Sequence, residues 1–364
     1  MWYYYRIMKS VSALVDRYRS NIKKLPSEVR ERVNRPGGLD EQTLLDLILN
    51  PQDQGVDRPG QPRLDSVKID YDLEVCARLG KDALKKGHVA YCIMAGGAGT
   101  RIGEAKALLR LPGIDMSLLT LKLFQAEGTG PIWIVVSPSL KERVADHVRS
   151  QAGIDQSRIE FIEQYESYRL TPDNQISFDS DGKPDMYPCG HGDLFPALNS
   201  SRLLDRFVSF GGRYVSIVNV DNTMGSLEPM IIGRHILSES KVSCEVVERS
   251  DEDAGGVLCD VNGMLQIVES FRIYGANPKE FKWLNTNSFI FNADIDIRPL
   301  GKNSWNRVQK NVGGRLVCQH ERLLQEITAA YETNYLGVER RDRFMPIKSI
   351  DDLNAAGERL KADR

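Results

Sequence analysis

Histidine and cysteine are scarce in this chain, with 5 histidines and 6 cysteines in 364 residues. Cys76, Cys92, Cys189, Cys244, Cys259 and Cys318 are scattered, and no C-x-x-C pair occurs. This excludes the recurring zinc-ligand spacings and a dithiol redox motif, and favours free thiols in a reducing cytoplasm over a disulfide framework. An excess of one charge sign is also lacking. Lys and Arg number 48 against 50 Asp and Glu, a formal net charge of −2. No broad attraction to nucleic acid or to an anionic membrane is therefore expected, and any phosphate site has to be a local cluster of basic groups. No apolar run reaches the length a bilayer requires, and the aromatic start MWYYYRIMKS is too short for a signal core or a span. Internal repeats and low-complexity tracts are absent. What remains, 41% hydrophobic and 27% charged, is the composition of an ordinary soluble globular chain, long enough to bury a sizeable core.

Within that ordinary background one loop stands out, IMAGGAGTRIG from Ile93 to Gly103, followed by Glu104, Ala105 and Lys106. The run His88 to Ala95 ahead of it reads as a buried strand. From Ser117 to Phe124 apolar residues resume at helical spacing. A strand breaking into Gly96, Gly97, Gly99 and Gly103 offers bare backbone N–H groups to an anion, and Arg101 and Lys106 bring positive charge to the same place. The loop is not a P-loop, because Glu104 follows Gly103 where G-x-x-x-x-G-K-[ST] needs lysine. Nor is it the G-x-G-x-x-G dinucleotide fingerprint, since one residue too many precedes Gly103. Asp115 follows a Pro-Gly turn and not a second strand, so it does not supply the ribose-binding acid of that fingerprint. Two readings stay open for the loop alone: a nucleotide-triphosphate loop, or a glycine turn with structural duties.

The first part of the chain is helical in pattern, with an apolar stripe over residues 8–25 and a second short helix from Gln42 to Leu49. A connector, Pro51 to Pro62, then carries three prolines and two glycines in twelve residues. From Lys81 strands and helices alternate. Strands are expected at Pro131 to Ser137, Arg158 to Gln164 and Tyr214 to Val220, with helices at Leu140 to Arg149 and around Pro229 to Leu237. Such alternation predicts a doubly wound α/β sheet whose ligands gather at the strands' carboxyl ends. Beyond Lys241 the pattern predicts a strand at Val242 to Glu248 and a hairpin turning at Asn262-Gly263. A strand at Asn287 to Phe291, a helix near Glu321 to Tyr331, a strand at Tyr335 to Val338 and a last helix from Ser349 complete it.

Three further stretches put polar groups at strand ends. Pro188-Cys-Gly190-His191-Gly-Asp193 is a glycine-flanked turn leading into a helix from Leu194 to Leu204. Asp193 suits a helix cap there, and His191 either contacts a ligand or serves the loop's own hydrogen bonds. Asn219-Val-Asp221-Asn222 ends an apolar strand on a carboxylate. That carboxylate either holds a divalent cation together with substrate phosphates or closes an Asx-turn. Leu284-Asn285-Thr-Asn287 presents amides and a hydroxyl, groups that both donate and accept and so read sugar hydroxyls. Finally Arg340, Arg341 and Arg343 precede Phe344-Met-Pro-Ile-Lys348, with Lys348 expected to point inward at phosphate.

Taken in order, GGAGTRIG, FIEQ, PCGHGDLFPAL, NVDN, EVVER with GGVLC, LNTNSFIFN and RFMPIK resemble the UTP–sugar-1-phosphate uridylyltransferase family, which includes the eukaryotic-type UDP-glucose and UDP-N-acetylglucosamine pyrophosphorylases. The resemblance runs from about Leu79 to Leu353. It implies a Rossmann-like, GT-A-like nucleotidyltransferase fold, a mixed sheet flanked by helices. The helical pattern and the Pro/Gly connector give an N-terminal helical appendage and linker over 1–75, and the resemblance implies a catalytic domain over 76–310 and a segment 311–364 that completes the active site.

By motif, the resemblance puts the base and phosphates of UTP on Ala95, Gly96, Gly97, Gly99, Thr100, Gln164, Gly190 and His191. It makes Arg101, Lys106 and Lys348 the catalytic cations, gives Mg²⁺ to Asp221, and brings the sugar to Asn222, Gly256, Glu269, Asn285 and Asn287. The implied partners are UTP and a sugar 1-phosphate, with the GHGD and NTN stretches closer to the glucose branch. Two departures are evident. Ala105 stands where the family usually has proline before the loop lysine, and the sequence ends soon after Lys348 without the family's β-helix-like domain. The alternatives are another nucleoside triphosphate, an unusual sugar or cyclitol phosphate in a secondary-metabolite pathway, a catalytically silent sugar-nucleotide-binding protein, and an NAD(P)-dependent oxidoreductase.

Overall fold

The computed structural model describes residues 2–362 apart from 53, 64–66, 68–70, 98, 100–103, 127–128 and 302–303, with side chains from residue 11 onward. Three helices open the chain: α1 (Trp2–Lys23), α2 (Ser27–Val33) and α3 (Glu41–Leu49). α3 starts where Asp40 accepts the Thr43 amide, a side-chain N-cap. Its Leu44, Leu45, Leu47 and Ile48 face inward and join Tyr18 and Ile22 in the main core. This unit is tied to the rest of the chain by ion pairs from Arg32 to Glu166 and from Arg35 to Glu163. After it comes α4 (Leu73–Lys85), capped by Asp72.

The central sheet uses the strands β1 (Val89–Met94), β2 (Ile132–Val136), β3 (Ile159–Glu163), β4 (Tyr214–Asn219), β5 (Val242–Glu248), β6 (Gly256–Val261), β7 (Met264–Glu269) and β8 (Trp283–Asn292). A separate hairpin, β9 (Asn306–Val312) with β10 (Arg315–Glu321), precedes the ninth sheet strand, β11 (Thr333–Gly337). The order is β7-β6-β8-β4-β1-β2-β3, and β5 pairs with both β8 and β11. β1 to β4 run parallel, while β8 lies antiparallel to β4, so the sheet is mixed as the resemblance implied. β1 and β2 are buried along their whole length, which is why they read as continuous apolar runs and not as alternating ones.

The helices α5 (Leu118–Gln125), α6 (Lys141–Arg149) and α9 (Pro229–Ser238) begin close to the starts expected for them. Between them, the single helix expected over 194–204 is two, α7 (Leu194–Ser201) and α8 (Leu203–Ser209). Arg202 takes the left-handed conformation at φ +56° and breaks the run. The helix expected near Glu321 to Tyr331 is also corrected. Glu321 ends β10, and only a short turn and α10 (Ile327–Ala330) follow. The chain closes with α11 (Arg340–Arg343) and α12 (Ile350–Ala362). All six cysteines are buried and free, as expected. Among the described residues no helix is long and apolar enough to cross a membrane.

Candidate active site

The register of the parallel strands brings their carboxyl ends to one edge. Met94 pairs with Asn219 and with Val135, and Val136 pairs with Glu163. The chemistry-bearing residues follow directly: Gly96 after β1, Gln164 after β3, Asp221 after β4. Between them opens a cavity of about 240 Å³. Of the residues singled out from the sequence, it gathers Gly96, Gly97, Lys106, Gln164, Gly190, His191 and Asp221. Met94, Pro188, Asn219, Val220, Lys310 and Glu321 complete its lining.

Gln164 is buried and joins two of the motifs. Its Nε2 donates to the Gly190 carbonyl at 2.8 Å, while its Oε1 is buried with no partner. A methyl group on Gly96 would collide with that oxygen, so only glycine lets the β1 loop lie against the amide. Gly190 itself sits at φ +102°, and a side chain there would strike the Arg322 backbone. The turn is fixed from the other side by a buried ion pair, Arg322 Nη1 to Asp193 Oδ1 at 2.9 Å. The Tyr165 amide donates to the second Asp193 oxygen at 3.2 Å. Asp193 is therefore committed to Arg322 and makes no side-chain cap for α7, which corrects the capping role expected for it. Burial lifts its carboxyl to about 7 against the pull of Arg322. His191 accepts the Leu324 amide on Nδ1 at 2.7 Å. Burial lowers its pKa to about 4, with Glu321 opposing and Lys310 assisting, so it stands neutral in the cavity wall.

Lys106 crosses the cavity floor. Its ammonium donates to Asp221 Oδ2 and, at 3.0 Å, to the carbonyl of Ile347. One side chain thereby joins the glycine loop, the end of β4 and the segment leading to Lys348. Ala105, standing where the family's proline is expected, keeps φ at −55°, inside the proline range. Its N–H, which a proline would not have, donates to Glu104 Oε1 at 2.8 Å. Glu104 is held in turn by Arg143 at 2.7 Å, and these bonds, the Ala105 amide first, lower its carboxyl pKa. A hydrogen-bonded chain from α6 does here what a ring would do elsewhere.

Several expected site residues lie elsewhere. Asn222 is buried and spent on the backbone, donating to the Arg343 carbonyl and accepting the Met345 amide, both at 2.9 Å. It fastens the loop after β4 to the segment 343–346 and does not line the cavity. Lys348 is exposed and outside the cavity lining, with its amide on Asp352 at 2.8 Å. This corrects the inward orientation expected of it. Ala95 is buried behind the loop, and Gly99, at φ +59°, packs on Glu104. Asn285 and Asn287 bond each other, Nδ2 to Oδ1 at 2.9 Å, and Asn287 is left-handed at φ +57°. Gly256 pairs with Glu269 across β6 and β7, and Glu269 accepts from Gln325 at 2.5 Å. None of these four belongs to the 240 Å³ lining. Thr100 and Arg101 lie outside the described residues.

Two lining residues went unforeseen, Lys310 and Glu321, which pair with each other across the β9–β10 hairpin. Only the turn is marked in the sequence, where Gly313-Gly314 joins NRVQKNV to RLVCQHE.

For a divalent cation the cavity lining offers two carboxylates, Asp221 paired with Lys106 and Glu321 paired with Lys310. Among the described residues no cluster of three or more His, Cys, Asp or Glu is formed. Asp221, already neutralised by Lys106, does not make a standing site. It fits a cation that arrives with substrate phosphates as its other ligands.

A mixed sheet with a glycine loop, an amide and a carboxylate converging at its parallel strand ends gives the chain an α/β fold of the nucleotidyltransferase kind. Residues 61–360 match the family described as UTP–glucose-1-phosphate uridylyltransferase, and the chain belongs to that family. Hordeum vulgare UTP–glucose-1-phosphate uridylyltransferase is 30% identical over 184 residues, 47% of this chain and 39% of the relative. A probable enzyme of the same name from Schizosaccharomyces pombe is 23% identical over 324 residues, 78% of this chain and 61% of its own. The chain thus spans about two fifths of the length of the plant relative it matches. A Trypanosoma brucei structure described as UDP-glucose phosphorylase shares the fold at TM-score 0.70 and 19% identity, over 95% of this chain and 78% of that one. The UDP-N-acetylglucosamine pyrophosphorylase of the same organism, in complex with inhibitor, does so at 0.69 and 20%, over 83% and 72%.

Proposed function

We propose that the protein joins UTP and a sugar 1-phosphate, glucose 1-phosphate by preference, into a UDP-sugar with release of pyrophosphate. The observation that carries this reading is the unpartnered Gln164 Oε1 in the cavity wall beside Gly96. With Nε2 committed to Gly190, the oxygen accepts a ring N–H. Uracil has one at N3, whereas cytosine presents an acceptor there, so the wall selects UTP over CTP.

A sugar-phosphate oxygen attacks the α-phosphorus of UTP in line, the bond to the β-phosphate bridging oxygen breaks, and pyrophosphate leaves with that electron pair. No protein nucleophile is needed. Gly96 and Gly97 admit the nucleotide against bare backbone. Lys106 turns from Asp221 to the phosphates as they enter, and Lys310 adds a second cation at the wall. Arg101 joins them by motif. Asp221, released from Lys106, would hold Mg²⁺, which supplies charge neutralisation across the phosphate oxygens. His191, neutral, orients and does not exchange protons.

The test is pyrophosphate release over a matrix of nucleoside triphosphates and sugar 1-phosphates with Mg²⁺. UTP with glucose 1-phosphate is expected to lead; no release from any pair would sink the reading in favour of a silent sugar-nucleotide-binding protein. Gln164→Ala is expected to lower kcat/KM for UTP by about 10- to 100-fold, the cost of one buried N–H left without an acceptor, and to leave CTP nearly unchanged. An unaltered UTP-to-CTP ratio in that variant would remove Gln164 from base selection.

A further inference from the structure

Lys122 on α5 has no exposed surface, and nothing in the reaction described above uses it. Its ammonium donates to the Asn222 carbonyl at 2.6 Å, to the Gly225 carbonyl, and to Gln125 Oε1 at 3.2 Å, with the Thr223 carbonyl at 3.5 Å. Every one of these partners is a neutral carbonyl oxygen. The carboxylates nearby are already taken: Asp221 by Lys106, and Glu245 by Arg343. Three backbone carbonyls of one four-residue loop therefore converge on a single buried cation. Without it their dipoles would point at one another in a space closed to water.

That loop begins at the residue after Asp221. We propose that Lys122 is a positioning residue for Asp221: its ammonium holds the 222–225 carbonyls in convergence and so sets the turn that aims the Asp221 carboxylate at the cavity. Burial works against this cation, assisted by Arg343 of α11 and opposed by Asp221 and by Glu245 of β5; together they bring its pKa to about 7. Tyr91 of β1 shares the cage, donating its hydroxyl to the Gly225 carbonyl at 3.4 Å. A buried lysine used only as packing would be replaceable by methionine. One that shapes the loop would not.

The proposal rests on the nucleotidyltransferase reading, and two separate measurements keep the two apart. In Lys122→Met, kcat for pyrophosphate release is expected to fall about 10- to 100-fold, the scale of a misplaced catalytic group, while KM for UTP stays within about threefold. Backbone hydrogen exchange is expected to rise at 222–226 and stay unchanged in β1 and β2. Unchanged exchange at 222–226, or a rise spread evenly through the sheet, overturns the proposal; so does wild-type kcat. If the wild-type protein is inactive with every substrate pair, the function fails and the exchange measurement alone decides on Lys122. Should Lys122→Met not fold, Gln125→Ala removes one cage oxygen and is expected to lower kcat about threefold to tenfold with the same local exchange pattern. No change in either measurement for Gln125→Ala then counts against the proposal.

Discussion

Replacing Glu245 by alanine is expected to lower the unfolding free energy by about 3–5 kcal/mol, because it strands a buried guanidinium. Glu245 sits on β5 where the register with β8 slips between Cys244 and Val246. That irregularity lets its carbonyl accept the Thr286 hydroxyl at 2.9 Å. Its carboxylate meets Arg343 in a two-pronged pair, Nε to Oε2 and Nη2 to Oε1, both at 2.8 Å. The two residues are 5% and 8% exposed, which puts the pair among those whose separation is expensive. Burial works against the arginine cation, and Glu245 outweighs it, raising the pKa above the usual arginine value. Arg343 also holds the loop after β4, donating to the Ser226 hydroxyl and carbonyl at 3.1 Å each. Chemical denaturation of the wild type and Glu245→Ala measures the loss. Glu245→Leu combined with Arg343→Met should recover part of it, since no charge is then left alone. A single variant as stable as the wild type would show that the guanidinium finds water or another anion.

That pair was not readable in the sequence, and the reason is general to the site. The strands were readable because β1, β2 and β4 are short apolar runs bounded by turn residues, and the glycine loop was readable because its composition is unusual. Where a side chain points was not. Asn222 follows Asp221 in an NVDN motif, which suggests two ligand groups. The chain at 343–345 comes alongside and takes both ends of the amide. Nothing local sets Arg343 apart from Arg340 and Arg341, yet it is buried while Arg341 is exposed. Lys348, read as pointing inward after an apolar stretch, is exposed. The outcomes at Asn222 and Arg343 depend on contacts more than 90 residues apart in sequence, which no local pattern encodes. The β9–β10 hairpin is different: its Gly313-Gly314 turn is visible in the sequence, but NRVQKNV and RLVCQHE do not alternate and so do not mark strands on either side of it. Ala105 belongs to a third kind, where the sequence change is visible but its consequence depends on Glu104 and Arg143 supplying the restraint.

The largest effects on turnover are expected at the Lys106–Asp221 pair. Removing a preorganised cation or donor aimed at developing phosphate charge costs on the order of 10²- to 10³-fold in kcat, and Lys106→Met should fall in that range. Asp221→Ala should lose at least as much, and its Mg²⁺ dependence should flatten. The two residues touch each other before substrate arrives, so their losses should not multiply. The double variant is expected to be about as slow as the worse single one, as for groups that act as a unit. Independent roles would instead give a double variant slower by the product of the two. The pair has a structural side too, since Lys106 also holds the Ile347 carbonyl at 3.0 Å and the Ile347 amide donates to the Asp221 carbonyl at 2.9 Å. Asp221→Asn separates the two functions. It keeps an oxygen for the Lys106 ammonium and the backbone bond, but removes the negative charge a cation needs. Its fold stability should stay near wild type while kcat drops as far as in Asp221→Ala. Wild-type turnover in Asp221→Ala would remove this carboxylate from the chemistry and leave the pair a structural clasp between β4 and the glycine loop.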